Sequence, residues 1–251
     1  VRTTMGSKIF HENFPQFDAV VVSRLKEAGA ILIGKTTTPE FGHKPFTSSP
    51  LFGNTRNAWD QRRIAGGSSG GAAVAAAAGL GYLHVGTDGG GSIRIPAAAN
   101  GVVGLKATLG TVPNDSNSDT FGNYSYTGPI TRTVSDAASM LSVISGPHSS
   151  DIHSQGKVRR DYSTATTHPG DLKNCRIGWR PFLGNTDIDS ELLSLTSNSL
   201  NALKEHGARI IDIDEPFESP EPYWRIINQA AWKGRFGSYE SEWASEMTPT
   251  F

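Results

Sequence analysis

Two serines set among glycines are the residues best equipped for chemistry: Ser68 in Gly66-Gly67-Ser68-Ser69-Gly70-Gly71, and Ser92 closing Gly86-Thr87-Asp88-Gly89-Gly90-Gly91-Ser92. Glycine permits backbone conformations closed to other residues and leaves consecutive N–H groups open to an incoming oxygen. Gly89, Gly90, Gly91 and Ser92 would therefore form a nest suited to the oxyanion of an acyl-transfer intermediate. A Gly/Ser run is ordinarily a flexible linker, and a serine after glycines is ordinarily a helix cap. Neither reading explains two such loops 24 residues apart, with Asp88 and Arg94 placed around Ser92 where opposite charges could hold the loop in shape.

The intervening residues must bring the two serines together. Residues 72–79 are almost all alanine, the best helix former and small enough for close packing. Residues 82–85 read as a strand, so a helix running out and a strand running back would return both serines to one edge. Upstream, residues 18–28 pattern as an amphipathic helix with Asp18 able to cap it, and Ile31-Leu32-Ile33 reads as a short strand buried on both faces. Downstream, a short helix near 93–99, a strand at 101–105, polar loop at 112–127 and a helix at 135–144 follow. Residues 148–174 form a polar excursion, after which a strand near Ile177, a helix at 189–206 and a strand at 209–213 repeat the alternation; the tail from Pro222 has helical spacing. The order argues for a layered α/β domain.

Composition narrows the function class. With 251 residues the chain can bury roughly three quarters of its unfolded surface, so core size is no obstacle. Its 23 basic and 24 acidic residues are dispersed, leaving no electrostatic footprint for nucleic acid or anionic lipid. No apolar run reaches the length of about 18 residues needed to span a membrane. The seven histidines have no metal-ligand spacing, and Cys175, the sole cysteine, reads as a buried structural thiol.

The stretch from Gly66 to Ala107, GGSSGGAAVAAAAGLGYLHVGTDGGGSIRIPAAANGVVGLKA, resembles the signature of the amidase-signature family. RTTMGSKIF near the start, DAVVVSRLKEAGAILIGKTTTPEFG, SPLFGNTRNAWD and GPITRTVSDAA resemble the same family in the same order, so the likeness covers about residues 2–146. It implies an α/β/α layered fold with a mixed, largely parallel central sheet, in one domain spanning 1–251 that is incomplete at both ends. It further implies a Ser/cis-Ser/Lys relay: Ser92 as nucleophile, Ser68 as the bridging serine after a cis peptide bond from Gly67, and oxyanion amides at Gly89, Gly90, Gly91 and Ser92. Ser69, Asp88 and Arg94 match loop-supporting positions. Small departures, such as Ala65 where proline is common, touch none of this chemistry.

The reaction so implied is hydrolysis of a small-molecule carboxylic amide through an acyl-enzyme, with no metal or cofactor. The family's lysine base sits upstream of the segment that RTTMGS resembles, whereas Lys8, Lys26, Lys35, Lys44 and Lys106 match other positions. The chain therefore reads as a fragment expected to be inactive alone. The alternatives are a non-catalytic family member and an amidotransferase A-type subunit.

Gly29-Ala-Ile-Leu-Ile-Gly34-Lys35-Thr36 satisfies the phosphate-loop pattern, but it joins a helix to a strand where that loop joins a strand to a helix. Ser23-Arg24-Leu25-Lys26 matches SxxK within an amphipathic helix and has no KTG partner. By resemblance, Gly42, His43 and Lys44 border the substrate pocket, joined by Phe121, Tyr124 and Tyr126 of the polar loop. A cytoplasmic location is the expectation, and oligomeric state, homo-oligomer included, is left open.

Overall fold

Alanine and glycine set how closely the backbone can pack around the two serine loops. The computed structural model describes residues 1–115, 124–168, 170–185 and 187–249, which fall into two units, one formed by 1–167 with 236–251 and the other by 168–235. The elements run α1 (Val20–Glu27), β1 (Ser48–Ser49), β2 (Gly53–Asn54), α2 (Gly70–Ala77), β3 (His84–Asp88), α3 (Arg94–Asn100), β4 (Val103–Gly104), β5 (Tyr126–Thr131) and α4 (Val134–Ile144). They continue with α5 (Thr164–Thr167), β6 (Arg176–Trp179), α6 (Ser190–Glu205), β7 (Arg209–Asp212), α7 (Glu221–Phe236) and α8 (Glu240–Trp243). Helices and strands are mixed along the chain, as the α/β reading expects.

In the first unit β5 is the central strand of an antiparallel sheet ordered β3-β5-β4, with His84 opposite Ile130 and Asp88 opposite Tyr126. Ala72, Ala73 and Ala76 of α2 pack with Ile93 and Ile130 in a buried cluster behind this sheet. A side chain at Gly104 would meet the Ala97 Cβ at 2.5 Å, so glycine there lets α3 lie against β4. A second cluster joins Val21 of α1 to Met140, Leu141 and Ile144 of α4.

Arg24 ties these two helices from outside. Its Nη1 donates to the carbonyls of Ile144 and Ser145 at 2.8 Å each and of Gly146 at 3.1 Å, while Nη2 donates to Pro147 O at 2.7 Å. Ile144 and the C-cap Ser145 end α4, where carbonyls lack helical partners and a cation is favoured, and Gly146 and Pro147 follow them. Arg24→Ala is expected to lower unfolding free energy by about 1.5–3 kcal/mol, read as a reduced urea midpoint. Arg24→Lys should recover little of it, since one ammonium cannot span four carbonyls.

In the second unit β6 and β7 pair in parallel, Arg176 opposite Arg209, and α6 makes the crossover that a parallel pair requires. Asp189 caps α6 by accepting from the Glu191 and Leu192 amides. Among the described residues this is the parallel ladder; the other strand pairs are antiparallel.

Five local readings are corrected. Ile31, Leu32 and Ile33 form no strand and are 87%, 45% and 79% exposed. An apolar triplet signals a wish for burial, but a strand needs a ladder partner. The strand read at 82–85 starts at His84 and extends to Asp88, and β5 occupies residues read as loop and unassigned, its Gly128-Pro129 pair hiding it from pattern reading. The start of α1 is satisfied not by Asp18, which pairs with Lys26, but by Asp115 Oδ2 accepting from Val20 N at 3.0 Å. Cys175 is exposed.

Candidate active site

Each serine loop is held by side chains around it. Beneath the first, buried Thr47 donates from Oγ1 to the carbonyls of Gly66 at 2.9 Å and Ser68 at 3.3 Å, and accepts from Gly70 N at 3.1 Å. A Cβ on Gly67 would come within 2.8 Å of the Phe46 backbone, and one on Gly71 within 2.5 Å of Thr37 N. The glycines thus permit close contact with residues 37 and 46–47. The peptide bond between Gly67 and Ser68 is cis.

The second loop is organised by Asp88, at the end of β3 with its side chain wholly buried. Its Oδ1 accepts from Gly91 N at 2.7 Å, and its Oδ2 accepts from the Ile93 and Arg94 amides at 3.2 and 3.4 Å. Arg94 closes a fork on the same carboxylate, Nε to Oδ2 at 2.9 Å and Nη2 to Oδ1 at 2.8 Å. Burial alone would raise the Asp88 pKa; the Arg94 bonds and the amides of Gly91 and Ile93 outweigh it and hold the group below the ordinary aspartate value. The pairing with Asp88 in turn raises Arg94.

The loops meet through Ser69. Its N–H donates to Ser92 O at 3.1 Å, and its hydroxyl donates to Thr87 O at 3.3 Å and accepts from Thr87 N at 3.2 Å. The first cluster is thereby fastened to the backbone of Ser92 and to β3. The Ser68 and Ser92 hydroxyls have no hydrogen-bond partner among the described residues, and a Cβ on Gly42 would stand 3.6 Å from Ser68 Oγ.

The whole arrangement lies inside the stretch matched by the profile of the Amidase family, which covers residues 1–246. The chain belongs to the amidase family. The chain is 43% identical over 232 residues to an acylamidase of Rhodococcus erythropolis, covering 92% of this chain and 47% of that protein. It is 40% identical over 216 residues to the A-type subunit of the glutamyl-tRNA(Gln) amidotransferase of Oleidesulfovibrio alaskensis, covering 86% of this chain and 44% of the relative. Among solved structures, a bacterial aryl acylamidase of the amidase-signature enzymes superposes with a TM-score of 0.86 at 29% identity over 98% of this chain and 53% of that one. The chain thus spans about half the length of the relatives it matches.

In this amidase-family chain the Gly91 N–H of the expected nest donates to Asp88 Oδ1. Gly90 and Ser92 retain amides with no partner among the described residues. The five lysines weighed as a base are engaged elsewhere: Lys8 with Glu246, Lys26 with Asp18, Lys35 with Thr3 Oγ1, Lys44 over Phe46, and Lys106 with Ala107 O and the Tyr126 ring. None of these contacts reaches Ser68 or Ser92.

Of the residues read as lining a pocket, Gly42 would carry a Cβ 3.6 Å from Ser68 Oγ, and His43 is half-buried with Nδ1 2.7 Å from Glu40 O. Burial pulls the His43 pKa down, opposed by that carbonyl contact. Lys44 is likewise lowered by burial. Tyr126 lies opposite Asp88 in the ladder, and the Tyr124 carbonyl would be 3.2 Å from a Cβ on Gly89, so both flank the loop that ends at Ser92. Phe121 lies outside the described residues.

Sequence reading missed Thr47, which lies 21 residues before the serine whose loop it supports, and Asn100. Asn100 is buried and donates from Nδ2 to Ala65 O at 2.8 Å and Pro96 O at 2.9 Å, tying α3 to the start of the first loop. Asn100 falls within the signature stretch and could have been found there; Thr47 carried no pattern at all.

Proposed function

We propose that this sequence forms the nucleophile-bearing part of a serine amidase that hydrolyses small carboxylic amides. The Ser69 N–H to Ser92 O bond carries the reading, because it joins the bridging-serine loop to the nucleophile loop in a family whose members include acylamidases. Ser92 Oγ attacks the amide carbon, its proton passing to Ser68 as Ser68 gives its own to a base. The carbonyl electrons move to an oxyanion facing the nest amides, Gly90 and Ser92 foremost. Collapse expels the amine, which takes up a proton, and water then releases the acid from the Ser92 ester. The base is proposed to be the lysine that the family resemblance places upstream of the RTTMGS segment; the contacts of Lys8, Lys26, Lys35, Lys44 and Lys106, which reach neither serine, support that reading.

Similarity to an acylamidase and an aryl acylamidase favours an aryl or alkyl amide as substrate. Turnover of an aryl amide such as para-nitroacetanilide is expected from the full-length gene product and not from residues 1–251 alone. Turnover by the 251-residue chain, abolished by Ser92→Ala, would place the base among its own lysines. The amidotransferase relatives support a second reading as an A-type subunit; stable co-purification with further subunits, without turnover of simple amides, would favour it. No described helix is long and apolar enough to cross a membrane.

A further inference from the structure

Glu40 is fully buried, yet neither the sequence pattern nor the proposed chemistry uses it. Its carboxyl group accepts from Ser7 Oγ at 2.7 Å on one oxygen and from Thr248 N at 2.5 Å on the other. One side chain therefore joins segments that begin and end the first unit. The residues beside it are held as firmly. Phe41 adopts a left-handed backbone at φ 51°, a conformation that persists in a bulky residue only where its surroundings enforce it. Its N–H donates to Met5 O at 2.8 Å, its ring stacks on Phe236 with centroids 4.3 Å apart, and Phe10 meets that ring edge-on at 6.0 Å. Gly6 approaches so closely that a Cβ there would be 2.5 Å from Thr38 O.

This enforced turn ends at Gly42, φ +73°, where an added Cβ would stand 3.6 Å from Ser68 Oγ, so the turn borders the Ser68 hydroxyl. We propose that Glu40 is a positioning residue that, by clamping Ser7 and Thr248, holds Gly42 against Ser68 and so sets where the bridging hydroxyl stands. The inference rests on the serine-amidase reading. Glu40 does not touch the reacting atoms; it acts through the turn. A proton relay is sensitive to displacements of about 1 Å, so a loosened turn should slow turnover more than it weakens substrate binding.

The test uses the full-length gene product with para-nitroacetanilide, and expresses kcat per Ser92 titrated by a fluorophosphonate so that unfolded protein is not counted. Glu40→Gln retains the shape but removes the charge, and it can keep the Thr248 bond only if its amide donates to Ser7 Oγ, reversing that bond and turning the serine hydrogen away. It should lower kcat roughly ten- to hundredfold, with KM changed by less than about twofold. Ser7→Ala, which removes a single bond, should produce a smaller fall of the same kind and decides the matter if Glu40→Gln does not fold. Lys8→Ala breaks the exposed Lys8–Glu246 tie between the same segments and should leave kcat and KM unaltered. Wild-type kcat per titrated site in Glu40→Gln, or in Ser7→Ala if only that variant folds, overturns the proposal while leaving the amidase reading intact. Absence of both turnover and Ser92 labelling in the wild type overturns the amidase reading, and the positioning role falls with it.

Discussion

Ser92→Ala, made in the full-length gene product, is expected to lower kcat for an amide substrate by roughly four to six orders of magnitude and to abolish fluorophosphonate labelling. An amide carbonyl needs a covalent nucleophile here, and the hydroxyl at the end of the glycine nest is the one whose own N–H can face the resulting oxyanion. Ser68→Ala should also be severely impaired, by roughly two to four orders of magnitude, because Ser92 would lose its proton relay. It should nevertheless keep slow labelling at Ser92. If labelling instead survived in Ser92→Ala and vanished in Ser68→Ala, the two roles would have to be exchanged.

Loss of the Asp88 carboxylate should have the next largest effect. Asp88→Ala strands the Gly91 and Ile93 amides in a buried loop and leaves Arg94 without its fork, a cost of about 2–4 kcal/mol in unfolding free energy. Arg94→Ala should cost less, because its side chain is 55% exposed and its loss leaves the carboxylate still bonded to backbone amides. The acylation rate of Ser92 in Asp88→Ala should fall by roughly a hundred- to a thousandfold, since the nest loses the group that shapes it. Because the Asp88 pKa is depressed in the folded protein, its stabilising contribution is complete above the unfolded-state value and is lost as pH falls through the folded one. Urea unfolding followed from pH 7 downward should therefore show an acid-side loss of stability in the wild type that is diminished in Asp88→Asn. Identical pH dependence in the two would show that other carboxyl groups govern the acid limb.

The roles of Glu40 and Thr47 show why part of the site was invisible in sequence. Glycine, serine and alanine advertise tight turns and close packing through their own stereochemistry, so the two loops and the helix between them could be read locally. Thr47 and Glu40 act across 21 and 208 residues of sequence on a serine-loop carbonyl and a Thr248 amide, and no local pattern encodes such contacts. The same holds for α1: Asp18 stood in the right place to cap it, but Asp115, 95 residues away, occupies the amide.

By itself, then, the sequence determined the family, the α/β alternation, the two serine loops and the Asp88–Arg94 pair, all of which depend on residue type and short-range spacing. Only the tertiary structure decided how the loops are joined, through Ser69 and the Ser92 carbonyl. It also showed that the Gly91 amide serves Asp88, that β5 with its Gly-Pro pair is the central strand of the three-stranded sheet, and that Ile31–Ile33 stand exposed without a ladder. The physical reason is common to all four: a backbone donor or acceptor is committed by whatever partner the folded chain brings within about 3 Å of it, and that partner is a property of the fold.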